Sequence, residues 1–267
     1  MDPIAPRPRA GRAGGWIAGP QPRRTPALRL FCLPYVGGGA QVYEPWRGAF
    51  GEDVEVCPVE LPGRQTRMRD RPYTRLDALV GALAAAVVDE LDVPYALFGH
   101  SMGSLVAFEL AHELRRRGAG EPCVLFVSAG PAPRLPRLRP PLHAAPEERV
   151  VARLAELGGL PQEILDEPEL LRYFLPAIRA DFEVIETYEY PSRPPLVCPV
   201  VAFTGSEDED LPPAGLTPWG EETTGRFDQF VLPGGHFFLR GSEGELLTLM
   251  RGALAPYTRS WRRFADA

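Results

Sequence analysis

Residues 95–118 read YALFGHSMGSLVAFELAHELRRRG, and the architecture follows from where this stretch changes period. Tyr95-Ala-Leu-Phe is a short apolar run bounded by Gly99, the mark of a strand buried on both faces. Over 105–117 the apolar positions Leu105, Phe108, Leu110, Ala111 and Leu114 recur at helical spacing, and Gly118, after three arginines, supplies a stop. A strand that enters a helix through Gly-His-Ser-Met-Gly is a strand-turn-helix unit. Small residues at 99 and 103 let the chain turn tightly, so that the Ser101 hydroxyl projects from the turn and the next amides face the helix N-terminus. The five-residue pattern G-x-S-x-G is common by chance; its setting makes Ser101 a candidate nucleophile.

Outward from this unit, apolar, β-branched or aromatic runs at 28–33, 53–59, 95–99, 122–128, 198–204 and 227–232 alternate with longer segments of helical period. That alternation predicts an α/β domain with a mostly parallel central sheet flanked by helices. Thr74 and Asp77 form a capping-box-like start to a helix whose buried face is Leu76, Leu79, Val80, Leu83, Val87 and Leu91. Between Gly130 and Pro195 the alternation breaks down. A Pro-rich, Arg-bearing stretch, PAPRLPRLRPPLHAAP, leads into EERVVARLAEL, PQEILD and PELLRYFLPAIRADFEVIETYEY, so 131–195 is expected to be a helical lid inserted over the C-terminal strand ends. The predicted organisation is a flexible Pro/Arg/Gly-rich tail over 1–26, one domain over 27–260 and a C-terminal tail over 261–267.

Composition narrows the function. With 267 residues, 45% of them apolar, the chain can bury one substantial core, and it has no apolar run near the ~20 residues that cross a bilayer. A net charge of −6 spread over mixed signs gives no basic face for nucleic acid. Cys32, Cys57, Cys123 and Cys198 lie in separate apolar segments without a CxxC pair and read as buried thiols. The N-terminus lacks the apolar core of a secretory signal, so the expectation is a soluble, cytoplasmic, monomeric protein with no membrane partner.

A serine nucleophile needs a base, and there are four histidines. His100 sits in the turn itself, with its side chain expected to point away from Oγ; His112 lies within the following helix, and His143 in the Pro-rich insertion. His236 remains, in VLPGGHFFL, where a strand ends in two glycines and a loop can carry an imidazole back over the sheet. The acid is expected after the preceding strand, where GSEDEDL offers Glu207, Asp208, Glu209 and Asp210; Gly205-x-x-Asp208 has the preferred spacing, with Asp210 second. Serine, acid, histidine is the chain order of the α/β-hydrolase fold. Amides for a developing oxyanion are expected from Met102 and from Val36 in the Gly-rich LPYVGGGA after the first strand. That loop has neither GK[ST] nor GxGxxG, which argues against a phosphate cradle.

Five stretches in order, FCLPYVGGGAQVYEPW, VELPGRQTR, FGHSMGSLVAFELAHEL, the Gly205 to Asp208 turn and FVLPGGHFFL, resemble the type II thioesterases of polyketide and nonribosomal peptide synthases. The likeness runs from about Leu28 to Tyr257. It implies an α/β-hydrolase fold with a helical lid, and removal of stalled or incorrect acyl groups from the phosphopantetheine arm of acyl or peptidyl carrier protein domains. It places Ser101, Asp208 and His236 on the family's triad and Val36 and Met102 on its oxyanion positions, with no cofactor and no metal. The family often has a smaller residue where this chain has Val36, which implies a tighter acyl pocket. A carboxylesterase or lipase with the same triad, and a catalytically silent binding protein of the same fold, are the alternatives. Carrier proteins present an acidic face, so Arg134, Arg137 and Arg139 are candidate docking residues or solvated loop charges. Arg64 has no assigned role.

Overall fold

The computed structural model describes residues 12–19, 25–136, 139–159 and 167–265. The six apolar runs form strands β1 (Leu28–Leu33), β2 (Val54–Pro58), β3 (Tyr95–His100), β4 (Leu125–Ser128), β5 (Val200–Gly205) and β6 (Phe227–Leu232). They pair in parallel in the order β2-β1-β3-β4-β5-β6. Strands β1, β3, β4 and β5 are buried at every position, because helices cover both faces, and this is why they read as largely apolar runs. Edge strand β6, partly exposed, carries Asp228 and Gln229 side by side in its run.

Alternate side chains of each strand feed two cores. Phe31, Leu33 and Leu97 pack against helices α1 (Leu76–Val87) and α2 (Met102–Arg116). Leu30, Cys32, Phe98, Phe126 and Phe203 face the other side, where Tyr43, Trp46 and Leu246, Met250 and Leu254 of α5 (Glu243–Ala265) close the layer. The insertion supplies α3 (Glu147–Leu157) and α4 (Pro168–Glu186), which build a small core of their own from Val150, Leu154, Leu171, Leu175, Ile178 and Phe182. No strand occurs among its described residues; PQEILD, at 161–166, lies outside them.

The strand order reverses at β1, which lies between β2 and β3, so the crevice of this sheet opens at the C-terminal ends of β1 and β3. Leu33 pairs in register with Gly99, which sets the Gly-rich loop beside the turn carrying Ser101.

Three expectations need correction. The segment assigned to a tail includes Trp16 and Ile17, 7% and 1% exposed. Ile17 forms an antiparallel bridge with Val59, the Glu60 N–H donates to the Trp16 carbonyl at 2.9 Å, and the Arg67 guanidinium lies 4.1 Å from the Trp16 ring. Residues 12–19 thus cover the exit of edge strand β2, as an exposed edge requires; 1–11 and 20–24 lie outside the described residues. Helix α5 runs to Ala265, past the expected start of a C-terminal tail at 261. Helix α1 is capped at Arg75 without a side-chain hydrogen bond, so Thr74 and Asp77 form no capping box.

Candidate active site

Ser101 has φ 55° and ψ −116°, a region that costs a non-glycine residue of order 1–3 kcal/mol and persists only where its surroundings impose it. The flanking glycines explain how. A Cβ on Gly99 would lie 2.0 Å from the Gly103 carbonyl oxygen, and one on Gly103 would lie 2.3 Å from that of Leu33. Neither glycine has a positive φ, so both are required by close approach of backbone. Buried hydrogen bonds clamp the turn from below: the Ser101 N–H donates to the Ser128 carbonyl at 2.7 Å, and Ser104 Oγ lies 2.9 Å from the Gly99 carbonyl while accepting the Ser128 N–H at 3.0 Å.

The side chain freed by this turn meets the end of β6. Ser101 Oγ lies 3.0 Å from His236 Nε2, and His236 Nδ1 lies 2.9 Å from Asp208 Oδ2. A carboxylate only accepts, so Nδ1 carries the proton and Nε2 is left to accept from the serine hydroxyl. Asp208 is 4% exposed, and its second oxygen accepts the N–H groups of Asp210 and Leu211 at 2.9 and 3.2 Å. Gly205 makes the junction possible, because a Cβ there would fall 2.2 and 2.3 Å from the carbonyl oxygens of Gly234 and Gly235 in the His236 loop.

Of the four neighbouring acids, Asp208 alone meets the histidine. Asp210 turns instead to Arg139 and Arg153 of the insertion. Asp208, Asp210 and His236 are close enough to hold a metal ion, but their ligand atoms are engaged by one another and by these arginines.

Val36 follows β1 in a turn closed by donation from the Gly38 N–H to the Tyr35 carbonyl at 2.8 Å. Among the described residues, no protein acceptor takes the N–H of Val36 or of Met102. Sequence reasoning missed what holds this turn. Asp181, on α4, accepts the Gly37 N–H at 2.9 Å and both terminal nitrogens of Arg64 at 2.9 and 2.7 Å, while Arg64 also donates to the Gly38 carbonyl at 2.8 Å. Arg64 and Asp181 are 5% and 3% exposed. In the sequence, only a carboxylate within an otherwise apolar helix face hinted at it.

The other histidines lie elsewhere. His100 is fully buried, with Nδ1 2.9 Å from Ser128 Oγ, and burial, together with the nearby His236, lowers its pKa well below the usual histidine value. His112 Nδ1 accepts from Arg115, and His143 pairs with Glu186 at 2.6 Å. Arg134 binds Glu221 and Glu222, and Arg139 binds Asp210, so both pair with acids of their own chain; Arg137 lies outside the described residues. A 770 Å³ groove lined by Arg75, Glu109, His112, Arg115 and Arg193, among others, shares no residue with the Ser101 cluster.

Residues 28–252 match the family model described as a thioesterase domain. The chain is 37% identical to the gramicidin S biosynthesis protein GrsT of Aneurinibacillus migulanus over 245 residues, covering 90% of this chain and 96% of that protein. Among solved structures, the RedJ thioesterase of the prodiginine pathway in Streptomyces coelicolor superposes with a TM-score of 0.81 at 38% identity, covering 95% of this chain and 91% of that one. The type II thioesterase BorB of the borrelidin biosynthetic cluster superposes with a TM-score of 0.83 at 36% identity, covering 91% and 98%.

Proposed function

The chain belongs to the thioesterase family, and from that membership we propose that it is an editing type II thioesterase that frees stalled acyl groups from carrier domains of a polyketide or nonribosomal peptide synthase. The observation that carries the chemistry is the relay from Ser101 Oγ to His236 Nε2 and from His236 Nδ1 to Asp208, mounted on a strained turn at the sheet crevice. Family membership carries the choice of a thioester.

The reaction we assign has two steps. Ser101 Oγ attacks the thioester carbonyl carbon as His236 Nε2 takes its proton, and Asp208 stabilises the imidazolium that results. The oxyanion rests on the amides of Val36 and Met102. When the intermediate collapses, the C–S bond breaks, and the phosphopantetheine thiol departs with the proton from His236. Water then attacks the acyl-serine, giving its proton to His236, which passes it to Ser101 as the free acid leaves. The partner is a carrier domain whose prosthetic arm enters the crevice, and no cofactor of the enzyme's own is required. Four free thiols fit a reducing cytoplasm, and no described helix is long and apolar enough to cross a membrane.

The test is incubation with carrier proteins bearing acetyl, propionyl or long acyl groups, followed by mass measurement of each carrier. Faster loss of the short groups supports editing; no loss from any carrier overturns it. Ser101→Ala is expected to abolish hydrolysis while the protein stays folded, and residual hydrolysis would place the nucleophile elsewhere.

A further inference from the structure

We propose that Asp181 and Arg64 are positioning residues for the oxyanion-binding amide of Val36, an inference that rests on the serine-hydrolase reading above. The peptide linking Tyr35 to Val36 carries both the carbonyl that accepts from the Gly38 N–H and the N–H of Val36. Orienting one orients the other. Gly37 has φ 74° and Val36 has no positive φ, which with the Gly38 to Tyr35 hydrogen bond makes residues 35–38 a type II turn. Type I and type II turns differ by a flip of the central peptide, here Val36–Gly37. The Asp181 carboxylate decides that flip by accepting the Gly37 N–H, and Arg64 anchors the Gly38–Gly39 peptide through the Gly38 carbonyl; together they keep the Gly38 N–H on the Tyr35 carbonyl and so fix the Tyr35–Val36 peptide that carries the Val36 N–H.

The pair is built for this role. Arg64 grips both oxygens of Asp181 with its two terminal nitrogens, a bidentate arrangement that fixes orientation as well as distance. Both side chains are buried, at 6% and 5% exposure, where a charge pair adds little net stability but permits one geometry. The turn in question lies on the catalytic machinery. The Leu33 and Pro34 carbonyls abut Gly103, and the Tyr35 ring packs 5.8 Å from His100 and 4.7 Å from Phe237, the chain neighbours of Ser101 and His236. Asp181 comes from the inserted helix α4, so the geometry of the turn depends on where the insertion sits.

Single changes would strand a buried charge, so the decisive variant is the double Arg64→Met/Asp181→Leu, which removes both charges and keeps apolar volume. It should fold, with a cooperative thermal transition. The substrate is an acyl-N-acetylcysteamine thioester, and the probe of the tetrahedral state is an acyl trifluoromethyl ketone that adds to Ser101. We expect kcat to fall at least about tenfold, KM to change less than about threefold, and the ketone to bind weaker by the same factor as the loss in kcat/KM. The double Arg64→Met/Asp181→Asn, which strands no charge and keeps an acceptor for the Gly37 N–H, should recover part of the loss. A folded double variant with kcat within tenfold of the native enzyme, or with undiminished ketone affinity, overturns the inference. Absence of thioester hydrolysis and of ketone binding by the native chain would instead overturn the reading on which it rests.

Discussion

Asp208 and Asp210 carry the same group two residues apart, and the backbone between them assigns them opposite partners. Asp208 is buried, accepts the amides of residues 210 and 211, and offers its remaining oxygen to His236; Asp210 faces two arginines. Asp208→Asn removes the acceptor that fixes the His236 tautomer, and kcat should fall by about three to four orders of magnitude with little change in folding. Asp210→Asn should stay within about tenfold of native, since it breaks ion pairs that do not touch the imidazole. Comparable losses in the two would mean that the acid is shared between them. In the sequence the SEDED run left this choice open, because register against Gly205 decides it and four acids in a row offer no period. Glu60 makes a second residue-scale case. It is 1% exposed, and burial raises its pKa from 4.5 to about 7 against the opposing pull of Arg64. Between those values the folded chain holds a proton that the unfolded chain has released, so stability falls as pH rises through this window and the contribution is lost above about 7. Glu60→Gln should flatten that fall. Urea midpoints at about pH 5 and pH 8 should converge in the variant and differ in the native chain by free energies of the order of a few kcal/mol.

At the scale of elements, the central strands were legible because burial on both faces makes their runs mostly apolar; β1 and β6 have the predicted bounds. The elbow was legible for the same reason, since GHSMG joins one such run to a helical period. What escaped was structure specified by distant partners. Trp16 and Ile17 are two apolar residues among prolines, glycines and arginines, too few for any periodicity, and they are ordered by the edge of β2. Arg64 and Asp181 are separated by more than a hundred residues and meet only through the fold. The glycines give an element-scale test of close approach. Gly103→Ala puts a methyl against the Leu33 carbonyl and Gly205→Ala puts one against the His236 loop, and in both the obstacle is backbone, which moves only by displacing a strand end. Each should cost at least about 1–3 kcal/mol and reduce kcat as well. Gly118→Ala, in open space at φ 80°, should cost only its backbone strain, about 1 kcal/mol, and leave kcat unchanged. Equal kcat values in Gly103→Ala and Gly118→Ala would show that the elbow tolerates the side chain.

For the whole molecule, the question is what holds the 131–195 insertion against the sheet. Arginines bridge the two. Arg64 reaches α4; Arg134 reaches Glu221 and Glu222; Arg139 and Arg153 reach Asp210; Arg193 reaches Glu109; and Arg240 donates to the carbonyls of Gly158 and Gly159 at the end of α3. Their strengths differ with burial. The Arg139 side chain is 60% exposed, and an ion pair there is screened and pays side-chain entropy, so Arg139→Ala should cost less than about 0.5 kcal/mol. Glu222 is 1% exposed, holds Arg134 Nε at 2.7 Å, and among the described residues keeps only the Tyr190 hydroxyl, at 2.8 Å, if the guanidinium goes. Arg134→Ala therefore leaves a buried carboxylate half satisfied, at a cost of about 2 kcal/mol. Glu222→Gln in that background should recover much of the loss, because the neutral amide needs no counter-charge. Added salt should narrow the Arg139 effect and leave the Arg134 effect nearly intact, since screening acts on solvated pairs. Urea unfolding of the three variants at low and high salt decides it. If Arg134→Ala proves as mild as Arg139→Ala, the arginine is spare in the folded state and its charge is free for a docking partner; a cost near 2 kcal/mol shows that it is committed to holding the insertion, and any loss of carrier-bound turnover on reversing its charge is then a loss of that structure.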